Sequence, residues 1–296
     1  MRVSLLNINR DYSNVGAVFA KCLQSVGVDA ESFEYCSPER VKIEVATSDV
    51  ILWMQSIPSG MVTPLKSKKV AVFHGGSLYR LKSAKMNKYW NPIVDVTLTQ
   101  TAEMLGRGAK NEKWMLPAAY VENVTPRYTI NKKLVVGHYP SIVYKKGRVD
   151  YELKGTRLIN TILKDYDVEY RFSTEKLKWE DYLHKLSECD VYVESLSQAS
   201  ESNNKHDWSV SALEAASCGC ITITNFGFGE SRYKKEYGSH ALLVANTEKM
   251  LRHHIETLLG LPEKYLISLK KNSVNWVNTV HSIEATGNRL MEYLEI

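Results

Sequence analysis

The chain has 296 residues, of which 44% are hydrophobic and 24% charged; at roughly 100–200 residues per domain this is about two domains of ordinary globular material, and it excludes a disordered, collagenous or coiled-coil protein. The formal charge of +5 lies wholly in residues 1–130, where 16 Lys and Arg face 11 Asp and Glu, whereas residues 131–296 carry 22 of each. No apolar run approaches the ~18 residues of a membrane-spanning helix, and Asn7 and Asn9 break the apolar start too early for a secretory segment, so the chain reads as cytoplasmic.

Short β-branched runs alternating with amphipathic stretches predict an α/β chain with parallel sheets. A strand at Arg2–Asn7 is followed by Asn14-Val15-Gly16, where a helix opens that Gly27 ends as a left-handed cap. Gly16 lets the backbone approach a ligand closely, and Tyr12 and Asn14 beside it are plain loop residues or line the same place. Strands follow at Asp29–Phe33, Val50–Met54, Lys69–Phe73 and Val94–Thr97. His74 stands directly after one of these and before Gly75-Gly76, a strand end that faces a ligand crevice in open parallel sheets. Lys66, Lys68, Lys69, Arg80, Lys82, Lys85 and Lys88 surround the same strand. They form a solvated basic face or a surface for an anionic partner: a phosphorylated acceptor, a phospholipid surface or nucleic acid. Arg80 is also a candidate contact to phosphate or acceptor.

The aperiodic segment 121–133 places a domain boundary between residues 130 and 131. Beyond it the alternation resumes, with strands at Leu134–Gly137, Val168–Phe172, Val191–Glu194, Ile221–Asn225 and Ala241–Val244. Helices are predicted at Gly155–Lys164, Trp179–Ser187, Ser209–Ser217 and Thr247–Leu259, with closing helices at Leu266–Trp276 and Ser282–Leu294. Two such α/β halves facing one another leave a cleft, with ligands at the carboxyl ends of the strands.

Chemistry concentrates in the second half. Lys154 precedes a helix start, where a cation neutralises a diphosphate; Gly155 permits close backbone approach and Thr156 can cap the helix. The helix opening at Ser209 and Val210 offers unpaired N–H groups and a positive dipole end to a phosphate. Glu214, a turn inside among Ala212, Leu213, Ala215 and Ala216, needs a hydrogen-bonding partner that ribose hydroxyls would supply. The alternative is a helix-to-strand packing unit with a solvent-facing Glu. The loop Asn225-Phe226-Gly227-Phe228-Gly229-Glu230 is a plain turn or the border of a ligand site. Metal ligands are not expected: Asp165-Tyr166-Asp167 reads as solvated carboxylates, His253 and His254 are adjacent, and Cys22, Cys36, Cys189, Cys218 and Cys220 lack zinc or redox spacing.

The run Leu213-Glu214-Ala215-Ala216-Ser217-Cys218-Gly219-Cys220-Ile221-Thr222, preceded by His138-Tyr139-Pro140-Ser141 and Lys154-Gly155-Thr156, resembles the GT-B retaining glycosyltransferases, especially glycosyltransferase family four. That family usually has a second Glu eight residues before the first; His206 occupies the position here. The resemblance implies a GT-B fold with two Rossmann-like domains facing across a cleft, 1–130 on the acceptor side and 131–270 binding the donor nucleotide. Residues 271–296 would return towards the first domain. It further implies transfer of a hexosyl group from a nucleotide diphosphate sugar to a hydroxyl acceptor, with retention, no metal and no cofactor. In this reading Lys154 receives the leaving group and His74 orients the sugar. Gly16, His138, Ser141, Ser209, Val210 and Glu214 hold the donor, Tyr12 and Asn14 line the acceptor side, and Asn14 and Arg80 contact acceptor or phosphate. The alternatives are glucosylation of hydroxymethylated DNA bases, a GT-B-like epimerase, and a non-catalytic nucleotide-sugar-binding protein.

Overall fold

The computed structural model of the chain describes residues 1–7, 14–54, 68–121, 124–140, 144–145, 148–149, 154–175, 177–196, 207–227 and 229–296. Tyr12, Lys66, Ser141, His206 and Phe228, named above, lie outside them. The chain divides into two units, Met1–Ala118 with His281–Ile296, and Ala119–Val280.

The first unit runs β1 (Arg2–Leu6), α1 (Val15–Ser25), β2 (Asp29–Phe33), α2 (Pro38–Thr47), β3 (Val50–Met54), β4 (Lys69–His74), α3 (Gly76–Trp90), β5 (Val96–Thr99) and β6 (Glu112–Trp114). Its strands form one parallel sheet in the order β2-β1-β3-β4-β5-β6. β3 is buried along its whole length, as expected of a strand covered on both faces. Leu6, Ile51, Trp53, Val70, Val72, Tyr79, Met86 and Trp90 belong to one core cluster, which joins α3 to the sheet.

The second unit contains β7 (Val135–His138), an antiparallel pair β8 (Tyr144–Lys145) and β9 (Arg148–Val149), α4 (Thr156–Leu163), β10 (Glu169–Phe172), α5 (Trp179–Ser187), β11 (Val191–Val193), α6 (Val210–Ser217), β12 (Ile221–Thr224), α7 (Glu230–Tyr237), β13 (Leu243–Val244), α8 (Glu248–Gly260) and α9 (Glu263–Val280). Its main sheet is parallel in the order β10-β7-β11-β12-β13. Alternate strand residues feed two cores. Val136, Val191, Val193, Ile221 and Ile223 pack with α4 and α8, while Val135, Tyr192 and Cys220 pack with α5 and α6. Fully burying each large aliphatic side chain contributes about 1.5–3 kcal/mol.

The division falls between Ala118 and Ala119, upstream of the 130/131 boundary read from the aperiodic segment. The reason lies in Asp190. Its carboxylate accepts from Arg127 at 2.9 Å and from Asn131 Nδ2 at 2.8 Å, which ties the linker to the second unit. Lys270, fully buried, donates to the same carboxylate and to Thr129 O, both at 3.1 Å, so α9 also stays there. Only the last helix, α10 (Ile283–Leu294), belongs to the first unit, where it packs on α1 so closely that a Cβ on Gly287 would lie 2.1 Å from Cys22 O.

Other differences are local. The fifth strand runs Val96–Thr99 rather than Val94–Thr97. α2, α3, α7, β6 and the β8–β9 pair were not anticipated. All five Cys are free and buried. Among the described residues no helix is long and apolar enough to cross a membrane.

Candidate functional site

In the second sheet the chain passes from β7 outward to β10, then returns to β11 on the other side of β7. Open parallel sheets bind ligands at the carboxyl ends of the strands flanking such a reversal. His138 ends β7, Glu194 follows β11 directly, Lys154 and Gly155 precede α4, and Ser209 precedes α6.

Glu194 is the centre of this group, and its side chain is fully buried. Oε1 accepts from Lys154 Nζ, from Ser209 Oγ at 2.8 Å and from Ser211 Oγ at 3.0 Å. Oε2 accepts from Ser195 Oγ at 2.5 Å and from Thr224 Oγ1 at 2.7 Å. Burial alone would raise the Glu194 pKa; the Lys154 cation and the hydroxyl donors outweigh it and bring it down to about 2. Lys154 also donates to Ser209 Oγ at 3.2 Å, and its side chain keeps 22% exposure. Among the described residues two of the three ammonium N–H groups have partners, and the side chain stays partly exposed towards an anion. The Ser209 hydroxyl, directed at Glu194, makes no side-chain cap on α6.

Gly155 adopts φ 67°, and a Cβ there would lie 1.8 Å from Leu196 O. The sequence suggested a glycine that admits a ligand. The backbone it admits is that of Leu196, whose N–H donates to Lys154 O at 2.9 Å. Thr156 likewise does not cap: it is the first residue of α4, and its hydroxyl lies 3.0 Å from His138 Nε2.

His138 is fully buried, with Nδ1 2.7 Å from Val193 O. The carbonyl can only accept, so Nδ1 carries the proton and Nε2 accepts from Thr156. Burial lowers the His138 pKa to about 4, and the ring is a neutral clamp joining β7, β11 and α4. A hydrogen bond from a ring nitrogen to a donor molecule would replace one of these bonds.

Glu214 lies half-buried in α6, one turn beyond half-buried Val210, so the two share a helix face. Its Oε1 accepts from Trp179 Nε1 at 3.1 Å. Burial raises the Glu214 pKa, against the opposing indole bond. Trp179 stacks on Tyr120, with ring centroids 6.3 Å apart.

The remaining candidates belong to the first unit. His74 is fully buried at the end of β4 and stacks on Tyr79 at 4.2 Å. Neither ring nitrogen has a hydrogen-bond partner among the described residues. Burial lowers its pKa to about 3, so the ring is neutral. Asn14 is exposed with φ 53° ahead of α1, and Gly16 is buried in the first turn. Arg80 is held by Glu103, with Nη2 and Nε 2.7 and 2.8 Å from Oε1, so its charge is matched within the unit. Other parts of the basic stripe are also engaged: Lys68 donates to Ala46 O and Ser48 O, and Lys69 pairs with Glu295. Lys82, Lys85 and Lys88 remain exposed on α3.

The structure therefore assembles Lys154, His138 and Ser209, with Val210 and Glu214 on the helix that Ser209 opens. His74, Asn14, Gly16 and Arg80 stand in the other unit. Glu194 was missed. Its signal was an acidic residue at the carboxyl end of a predicted buried strand, where a carboxylate requires a buried counter-charge.

No protein-family model and no curated protein sequence matches the chain. Among solved structures, 100% of the chain is covered in each of three likenesses. Sucrose-phosphate synthase from Thermosynechococcus elongatus is 10% identical over 98% of that chain, with a TM-score of 0.64. Alr3699/HepE of Anabaena, in complex with UDP and glucose, is 12% identical over 99% of that chain, with a TM-score of 0.63. AviGT4, a glycosyltransferase involved in avilamycin A biosynthesis, is 12% identical over 97% of that chain, with a TM-score of 0.59. Likeness at these identities shows the fold, which is GT-B with two Rossmann-like units.

Proposed function

We propose that the chain is a glycosyltransferase of the family-four type, moving a hexosyl group from a nucleotide diphosphate sugar to a hydroxyl acceptor with retention and without a metal ion. The observation that carries this reading is the partly exposed Lys154 cation at the β7/β11 reversal, bound to Glu194 and Ser209 at the start of α6. HepE, which shares the fold, binds UDP and glucose. A fold hosts many functions, and the side chains decide among them.

In this reading the bond between the anomeric carbon and the β-phosphate oxygen breaks, and its electron pair stays on that oxygen. Lys154 and the N–H groups opening α6 stabilise the charge that develops there. The acceptor hydroxyl oxygen forms the new bond to the anomeric carbon, and its proton passes to the departing diphosphate. Glu214, fixed at Oε1 by Trp179, presents Oε2 to a ribose hydroxyl. His74 is carried over from the family pattern as the residue that orients the sugar; its ring is neutral and buried at the end of β4. Retention is inferred from the likeness of residues 213–222 to the family pattern.

The test is calorimetry with UDP, GDP, ADP and their sugar conjugates, followed by mass spectrometry of products from an acceptor panel that includes hydroxymethylated duplex DNA. Nucleotide binding with transfer that survives EDTA supports the reading. Absence of nucleotide binding overturns it. Binding with neither transfer nor donor hydrolysis identifies a nucleotide-sugar-binding protein, and full metal dependence overturns the metal-free step.

A further inference from the structure

Glu194 presents a conflict that the proposed chemistry leaves open. A diphosphate needs the Lys154 cation, yet a fully buried carboxylate already neutralises that cation from within the same site. Orientation of the ammonium group alone does not require an anion, because Ser209 Oγ accepts from it at 3.2 Å. Nor is the carboxylate a remnant of packing: Ser195, Ser209, Ser211 and Thr224 all direct hydroxyls at it. Four hydroxyls and an ammonium group converge on it as on a charge that is to be kept ionised.

One consequence follows from placing a fixed negative charge beside the cation. A bound diphosphate shares Lys154 with Glu194 and feels the like charge of the carboxylate behind it. The effect acts on the product, which carries the largest charge at the point of release.

We propose that Glu194 is a positioning residue that holds Lys154 and competes with the nucleoside diphosphate for it, so that the product is held weakly enough to leave. The proposal rests on the reading of Lys154 as the diphosphate partner. It assigns Glu194 no contact with the reacting atoms. Its effect on affinity has a sign opposite to that of a structural lesion, since loss of the carboxylate tightens product binding.

The experiment measures calorimetric affinity for whichever of UDP, GDP and ADP the full-length wild type binds best, in Glu194→Gln, Lys154→Met and the double variant, together with donor kinetics. Gln is close in shape and can exchange hydrogen bonds with all four hydroxyls. Glu194→Gln is expected to bind the diphosphate on the order of tenfold tighter and to turn over more slowly by a similar factor, with kcat/KM changed about threefold or less, as slowed release requires. Lys154→Met leaves the carboxylate unpaired beside the phosphate, so the double variant is expected to bind the diphosphate more tightly than Lys154→Met alone. That comparison holds even if Glu194→Gln by itself fails to fold. Unchanged or weaker affinity in folded Glu194→Gln, or a double variant no tighter than Lys154→Met, overturns the proposal. Should the wild type bind and Lys154→Met lose affinity without either gain, only the role of Glu194 falls; should the wild type bind none of the three nucleotides, the reading of Lys154 falls with it.

Discussion

Leu196 O occupies the space where Gly155 would carry a side chain: a Cβ on Gly155 would lie 1.8 Å from that oxygen. The close approach seats the segment after β11 against the start of α4, and the Leu196 N–H to Lys154 O bond locks it at 2.9 Å. Gly155→Ala adds this clash to the ~1–2 kcal/mol cost of left-handed backbone in a residue with a Cβ, and is expected to destabilise the protein by about 2–4 kcal/mol. Urea unfolding checks this, with Gly227→Ala, where a Cβ meets open space, as the control. Diphosphate affinity should fall in the Gly155 variant even where it remains folded, because Lys154 moves with its backbone.

The acid stability of the second unit should carry the mark of Glu194. Its folded pKa is lowered from 4.5 to about 2, so the unfolded chain binds the proton first as pH falls. The stabilisation is complete above the unfolded pKa and is lost between about 4.5 and 2. The stability difference between wild type and Glu194→Gln should therefore be largest near neutrality and shrink steadily below pH 4.5, as read from urea unfolding across pH. A difference independent of pH would show that the carboxylate is not held ionised.

His74 predicts a second, higher window. Its folded pKa is lowered from 6.5 to about 3, so the neutral ring contributes stability that is complete above 6.5 and declines as pH falls towards 3. At pH 5 the loss is on the order of 2 kcal/mol. His74→Phe keeps a ring to stack on Tyr79 and cannot be protonated, so its stability should fall less between pH 7 and 5. If His74 orients the sugar, the same variant loses kcat/KM for the donor at neutral pH while its stability there is retained.

Glu214→Gln separates binding from structure. A Gln oxygen can still accept from Trp179 Nε1, so thermal stability should change by about 1 kcal/mol or less. Replacing the carboxyl oxygen offered to ribose hydroxyls by an amide should weaken nucleoside diphosphate binding about tenfold, consistent with one lost hydrogen bond. Calorimetry decides; wild-type affinity would leave Glu214 a packing residue between α5 and α6.

Strands such as Val50–Met54 are legible in the sequence because burial on both faces demands an unbroken apolar run, and α6 because Gly219, at φ 87°, stops it where Arg127 O leaves no room for a Cβ. α3 is illegible for physical reasons: it opens on a Gly pair that reads as a turn, carries three lysines, and is non-helical at Lys82. α7 shows only Tyr233 and Tyr237 to the core, too few for a helical period. At the site, Lys154 and Ser209 were readable as residue types placed at helix starts, and Glu214 as a carboxylate a turn inside one. The partnership of Lys154 with Glu194 and the internal bonds of His138 were not, because both depend on strand order, which sets β7 beside β11 across more than fifty residues of sequence.

The central claim is that Lys154 binds the diphosphate of the donor. It is tested most directly by measuring the affinity of wild type and Lys154→Met for UDP and for uridine, or for the corresponding pair of whichever base binds. The account predicts a loss of about 10- to 100-fold for the diphosphate and none for the nucleoside, in line with one charge-assisted contact. Equal diphosphate affinity in the two proteins would contradict it.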